Sequence, residues 1–162
     1  MNIKLKNKFL YYNEYKIKCS VGKRGITSTK VEGDNKTPKG NFAFKEIFYR
    51  KDRISQIKAS LKKVVIKKNM GWCDDVTSIY YNKEIKINKK IKHEKLFRKD
   101  NSYDYLIVIN YNTKNIKYAK GSAIFLHLTK DYKKTAGCVA VKEKDLLIIL
   151  KLITKSNKIK IY

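Results

Sequence analysis

Gly121-Ser122-Ala123-Ile124-Phe125-Leu126-His127 and, one short loop later, Thr135-Ala136-Gly137-Cys138-Val139 are the stretches that decide how this sequence is read. Residues 121–128 form a nearly continuous apolar run bounded by turn residues, the pattern of a strand buried on both faces. Residues 138–141 begin another strand. His127 therefore ends one strand and Cys138 opens the next, eleven positions later. That spacing admits a connecting loop and lets adjacent strands bring the two side chains together. A thiol is a useful nucleophile at neutral pH only if its pKa is lowered or a base takes its proton, and imidazole is the usual partner. Gly137 gives the backbone freedom to turn N–H groups toward a developing oxyanion, and Thr135 can hold the turn. Taken alone the pair is a weak signal, because a lone cysteine is more often buried and inert and a lone histidine more often structural.

Working outward, the rest of the chain reads as strands and turns with one strong helix. Residues 103–111, containing Tyr105, Leu106, Ile107, Val108 and Ile109, make a second central strand. Residues 3–11 and 15–21 alternate β-branched, aromatic and polar side chains around Tyr12-Asn13-Glu14, as a hairpin or two short strands would. Residues 22–40 hold four of the seven glycines and the only proline, Pro38. A loop of that length in a compact domain is more often functional than not. Residues 41–49, with Phe42, Phe44 and Phe48 on one face, and residues 63–67 read as strands. Gly71-Trp72-Cys73-Asp74-Asp75 reads as a loop, and a short helix is expected around residues 94–98. Leu146, Leu150 and Ile153 fall at helical spacing within residues 143–155, acidic at the start and basic at the end, which suits the helix dipole. Residues 158–162 read as a final strand. The expectation is one domain over residues 1–162, mainly β and sandwich-like, with a C-terminal helix and minor helices.

Composition narrows the possible functions. The chain has 162 residues and a formal charge of +25, a bare signature of polyanion binding. Only four of the 39 basic residues, Arg24, Arg50, Arg53 and Arg98, are arginine, the residue on which base readout leans, and the lysines are spread along the chain. No specific nucleic acid is expected. Three cysteines, Cys19, Cys73 and Cys138, cannot all pair within one chain, and no spacing suits a metal or redox site; packing is the favoured reading of Cys19 and Cys73. No apolar run approaches the roughly 18 to 20 residues of a membrane span. The pattern of residues 1–6 is not that of a signal peptide. His93 is expected to be exposed. Arg50 and Arg53 are candidate partners for a substrate carboxylate, with an ion pair to Asp52 or Glu46 equally favoured. Trp72 and Tyr81 either line a cleft or pack, and Asp74 and Asp75 read as turn residues shaping it.

The GSAIFLH run and the TAGC run resemble the active-site motifs of the YkuD-type L,D-transpeptidase family. Glu32-Gly33-Asp34-Asn35-Lys36-Thr37-Pro38-Lys39-Gly40 is similar to that family's EGD-x-x-TP-x-G loop. Gly71 to Asp75, Tyr81-Asn82 and Tyr103-Asp104 are similar to one branch of it. The resemblance spans roughly residues 15–155 in family order. It implies a mainly β catalytic domain whose thiolate attacks the diaminopimelate carbonyl of a peptidoglycan stem peptide, releasing D-alanine and leaving an acyl-enzyme for an amine or water to resolve. Carried over by position, Cys138 is the nucleophile and His127 its base, oriented by a backbone carbonyl near Leu128. The N–H groups of Gly137 and Cys138 are then the oxyanion donors, and Thr135, Arg50, Arg53, Trp72 and Tyr81 the candidate substrate contacts. No metal or organic cofactor is implied. Many members have His before the Gly-Cys pair, Arg two residues after it and Gly after the histidine; here stand Ala136, Ala140 and Leu128, which leaves donor and acceptor open. The implied location is the cell envelope, and the N-terminal pattern leaves a cytoplasmic location open; anionic cell-wall polymers are further candidate partners on the strength of the basic charge alone. The competing reading is a catalytically degenerate basic module that binds an anionic polymer.

Overall fold

The computed structural model of the protein describes residues 2–162. Its strands are β1 (Ile3–Lys6), β2 (Phe9–Tyr12), β3 (Tyr15–Lys18), β4 (Ile26–Thr27), β5 (Thr37–Pro38), β6 (Gly40–Tyr49), β7 (Lys62–Val65), β8 (Met70–Cys73), β9 (Glu84–Lys86), β10 (His93–Lys95), β11 (Tyr105–Ile109), β12 (Phe125–Leu128), β13 (Val139–Val141) and β14 (Lys158–Ile161). The single helix among the described residues is α1 (Glu143–Leu152). The fold is mainly β with one C-terminal helix, as the sequence pattern implies.

The main sheet runs in the order β13-β12-β11-β6-β14-β1-β2-β3, with β7 added to β6. Its length turns on β6. Residues 40–43 of this strand pair with β14, while its second half pairs with β11 along one edge and with β7 along the other. The two ends of the sheet then meet. Ser20, just past β3, forms an antiparallel bridge to Ala140 of β13 through two backbone hydrogen bonds of 2.8 and 2.9 Å. Closing the sheet on itself leaves few unpaired edges. Inside it lie Ile3, Leu5, Ile47, Ile107, Leu126, Val139 and Ile159, all essentially without exposure, and α1 covers them with Leu146, Ile149 and Leu150. A second core gathers Phe48, Trp72, Leu96, Tyr103, Leu106 and Phe125 against the small sheet β10-β8-β9.

Several expectations are corrected. Residues 3–11 hold two strands, because Asn7 and Lys8 take left-handed φ of 52° and 61° and reverse the chain. Gly71-Trp72-Cys73 is not a loop but the buried centre of β8, since its neighbours β9 and β10 satisfy its backbone on both sides. Residues 93–95 form β10 rather than a helix, as pairing with β8 overrides local preference. The minor helices are absent among the described residues. His93 is half-buried, its Nδ1 2.7 Å from the Ile91 carbonyl and its ring over Gly71, where a Cβ would come within 2.9 Å of His93 Cδ2.

Strand alternation gives a direct test. Ile159→Ala empties a fully buried position and is expected to cost about 2–5 kcal/mol. Lys160→Ala, one residue along and facing solvent, should stay within about 0.5 kcal/mol. Urea midpoints at unchanged m-value read both.

Candidate active site

Strands β12 and β13 lie parallel, with Leu126 opposite Val139, His127 opposite Ala140 and Leu128 opposite Val141. Registered partners share a face and faces alternate, so Cys138, two residues before Ala140, lies diagonal to His127 on the same side. Both line a cleft of about 950 Å³, bounded by the 129–138 connection and by residues from the 30–35, 92–104 and 122–124 segments.

The backbone of the GSAIFLH run curls around the sulfur. Ala123 takes a left-handed φ of 51°, which turns its carbonyl onto the Cys138 thiol at 3.1 Å, while the Phe125 N–H donates to Sγ at 3.3 Å. This departure from strand geometry is why residues 121–124 of the apolar run stay out of the ladder. Asn82 enforces the curl from behind. Its Oδ1 accepts from the Ala123 N–H (3.0 Å) and from Trp72 Nε1 (2.9 Å), and its Nδ2 donates to the carbonyls of Tyr111 (3.1 Å) and Asn112 (2.7 Å). Glu32 of the EGD loop pins the same run, accepting from Tyr81 Oη at 2.5 Å and Ser122 Oγ at 2.7 Å; Tyr81 Oη in turn accepts the Gly121 N–H. Asp34 closes its own loop on the buried Lys30 at 2.5 Å. Burial pushes the Asp34 carboxyl up, but the hydrogen bonds from Lys30 and from the Val31 and Lys36 N–H groups outweigh it and hold the group below its usual range.

His127 Nδ1 lies 2.9 Å from the Leu128 carbonyl. A carbonyl only accepts, so Nδ1 carries the proton and Nε2 keeps its lone pair. Burial lowers the imidazole pKa to about 4. Burial, and then the charge of Glu94, raise the Cys138 thiol, against smaller opposing effects of the Phe125 N–H and Lys30. At neutral pH both groups are uncharged. The Tyr103 ring stands edge-on to His127 at 5.2 Å between centroids, and its hydroxyl bonds Glu94, whose carboxyl burial pushes up.

Of the other residues singled out in the sequence, Thr135 and Leu128 line the cleft. The Thr135 hydroxyl donates to the Cys138 carbonyl at 2.6 Å and accepts the Gly137 N–H at 3.1 Å, so that N–H is occupied in this state. Gly137 has φ of 151°, and a Cβ there would come within 3.0 Å of the Lys36 carbonyl. Arg50 and Arg53 lie outside the cleft. Arg50 is buried in a two-pronged pair with Asp52 and stacks on Phe97, and Arg53 bonds Asp104 at 2.7 Å. Trp72 packs edge-on against Phe48 and Phe125, and Tyr81 sits behind the cleft wall. Asp74 lines the cleft, while Asp75 caps Thr77. Cys19 and Cys73 are buried in the two halves of the fold, away from the cleft lining.

The profile of the YkuD family, the L,D-transpeptidase catalytic domain, matches residues 3–161. The chain belongs to that family. No curated protein matches this YkuD chain. Among solved structures, it is similar to "Structure of Bdellovibrio bacteriovorus Bd1075", at 16% identity and a TM-score of 0.49, covering 99% of this chain and 47% of that one. The chain thus spans about half the length of that protein.

Glu94 is not legible as a site residue in the sequence, where local preference sets it at the start of an expected helix. Asn82 and Tyr103 lay inside quoted motifs without a role, because their partners are distant in sequence.

Two outcomes are expected. Asn82→Ala should destabilise the fold by about 2–3 kcal/mol through the donors it strands, read by urea unfolding. His127, at about 4 when folded against 6.5 when unfolded, binds fewer protons in the folded state between those values. Its contribution to stability is therefore present above about pH 6.5 and lost as pH falls toward 4. Wild type should lose stability over that window more steeply than His127→Gln, in urea midpoints at matched pH.

Proposed function

We propose that the chain is a cysteine-dependent L,D-transpeptidase acting on peptidoglycan stem peptides in the cell envelope, with Cys138 as nucleophile and His127 as its base. The observation that carries this is the shared face of Cys138 and His127 in the cleft of a YkuD domain, with Nδ1 of the imidazole held by the Leu128 carbonyl so that Nε2 bears the lone pair.

Both partners start neutral, so the thiol proton moves only as the Sγ–C bond forms. Sγ attacks the carbonyl of the third stem residue, its proton passes to His127 Nε2, and the carbonyl oxygen becomes an oxyanion. The Cys138 N–H and the Gly137 N–H, the latter released from Thr135, are the donors offered to it. Collapse expels the terminal amino acid, which takes the proton from His127 and leaves a thioester. The amine of a second stem peptide, or water, attacks the thioester and regenerates the thiol; which of them prevails sets cross-linking, exchange or trimming. Tyr103, anchored by Glu94, acts as a positioning residue that holds the imidazole plane.

Incubation with a carbapenem followed by intact-mass spectrometry tests the assignment. An adduct that maps to Cys138, is lost in Cys138→Ala and forms at least about a hundredfold more slowly in His127→Ala is the expected result. A folded protein that forms no adduct would sink it and favour the degenerate basic module. Tyr103→Leu should slow acylation and displace the acid limb of its pH profile, whereas Tyr103→Phe keeps the ring contact and should slow it less; an unmoved limb in both would mean that Tyr103 only packs.

A further inference from the structure

The outward face of β14, β1, β2 and β3 carries a charge pattern that the cleft does not use. Cross-strand register sets Lys160 beside Lys4, Lys4 beside Tyr11 and Tyr11 beside Lys16 in one row. The next row is Lys6, Phe9 and Lys18. Apart from the exposed Tyr15, the alternate residues of these strands point inward and are buried, and the lysines face solvent. Like charges directly opposite one another across a ladder are unfavourable, and Lys4 opposite Lys160 bears that cost with no carboxylate in either row. Among the described residues none of these lysines forms an ion pair with a carboxylate.

The segregation extends beyond the rows. Residues 1–31 and 146–162 together contain 12 Lys and Arg against one carboxylate, Glu14, while the other 13 carboxylates fall between. Aromatic rings lie among the ammonium groups: Lys16 Nζ stands 4.7 Å from the Phe9 centroid and Lys160 Nζ 4.9 Å from that of Tyr162. The strip is continuous with the cleft mouth. Lys18 of β3 reaches the Tyr132 ring at 4.8 Å, and Tyr132 belongs to the connection whose Lys130, Lys133 and Lys134 rim the cleft.

We propose that this strip binds a linear phosphodiester-linked polymer of the cell wall, seating its phosphates on the lysine rows and bringing the cleft alongside the wall. The choice of a wall polymer rests on the reading of the site as peptidoglycan-directed; the anionic character of the partner does not. Neighbouring strands are about 4.8 Å apart and alternate residues about 6.8 Å apart along a strand, a grid on which closely spaced phosphates can each meet an ammonium group. The rows hold no arginine and form an open sheet face, suited to charge and not to reading bases.

The test compares Lys4→Gln/Lys16→Gln/Lys18→Gln/Lys160→Gln with a control of equal charge change, Lys58→Gln/Lys68→Gln/Lys89→Gln/Lys114→Gln, whose four lysines are exposed elsewhere. Probes are a synthetic poly(glycerol phosphate) and a single-stranded DNA of the same number of phosphates, titrated by fluorescence anisotropy at several salt concentrations. The strip variant is expected to lose at least about tenfold in affinity for poly(glycerol phosphate) and roughly three in log–log salt slope, with the control near wild type. Equal losses in both variants would overturn the proposal in favour of net charge alone, and tighter binding of the DNA would overturn it in favour of nucleic acid. Carbapenem acylation of Cys138, measured on the same samples, is expected to be unchanged; its failure in wild type would count against the catalytic reading and leave the binding result standing.

Discussion

The parallel pairing of β12 with β13 is the constraint on which the site depends. Parallel neighbours cannot be joined by a tight turn, and a crossover usually needs a dozen or more residues. Here ten residues, 129–138, make the return. They leave the end of β12, run outward and come back beside it, and that excursion is one wall of the cleft. Its return is held by hydrogen bonds between Thr135 and the backbone of Val21 and Lys23, and by the Ser20–Ala140 bridge that closes the main sheet. The same pairing fixes His127 and Cys138 on one face.

The chain is strongly basic, and its cleft mixes charges of both signs, Glu32, Asp74 and Glu94 standing among Lys30, Lys92 and Arg98. Burial raises Asp74 and Glu94 above their usual ranges, and the charge of Glu94 disfavours a thiolate on Cys138. The resting pair is thus a protonated thiol and a neutral imidazole, in contrast to an ion pair preformed by a positive environment.

Legibility in the sequence followed the range of the interactions involved. The apolar alternation of β14, the continuous run of β11 and the helical spacing of α1 are local patterns, and each of these elements lies within the stretch where it reads, whereas the alternation of residues 3–11 hides the reversal at Asn7 and Lys8. The β8 strand did not look like one, because Gly71-Trp72-Cys73 carries turn chemistry and gains its pairing from β9 and β10. The same tertiary pairing converted residues 93–95 from expected helix to strand. In the site, Cys138 and His127 stood out by residue type and motif. The groups that shape their surroundings did not: Asn82 bonds Ala123 forty-one positions away, and Glu32 bonds Ser122 ninety positions away. For Arg50 and Arg53 the sequence left an ion pair and a substrate contact equally open, and only the placement of Asp52, Asp104 and Phe97 separates them.

The parallel union of β1 with β14 joins the first strand of the domain to its last. Until Ile159 and Ile161 have emerged from the ribosome, Ile3 and Leu5 have no neighbour on that edge and β6 lacks its partner along residues 40–43. The domain therefore cannot be completed piecemeal during synthesis; its closing contact has nearly the largest sequence separation the chain allows, which places it among slow-folding topologies.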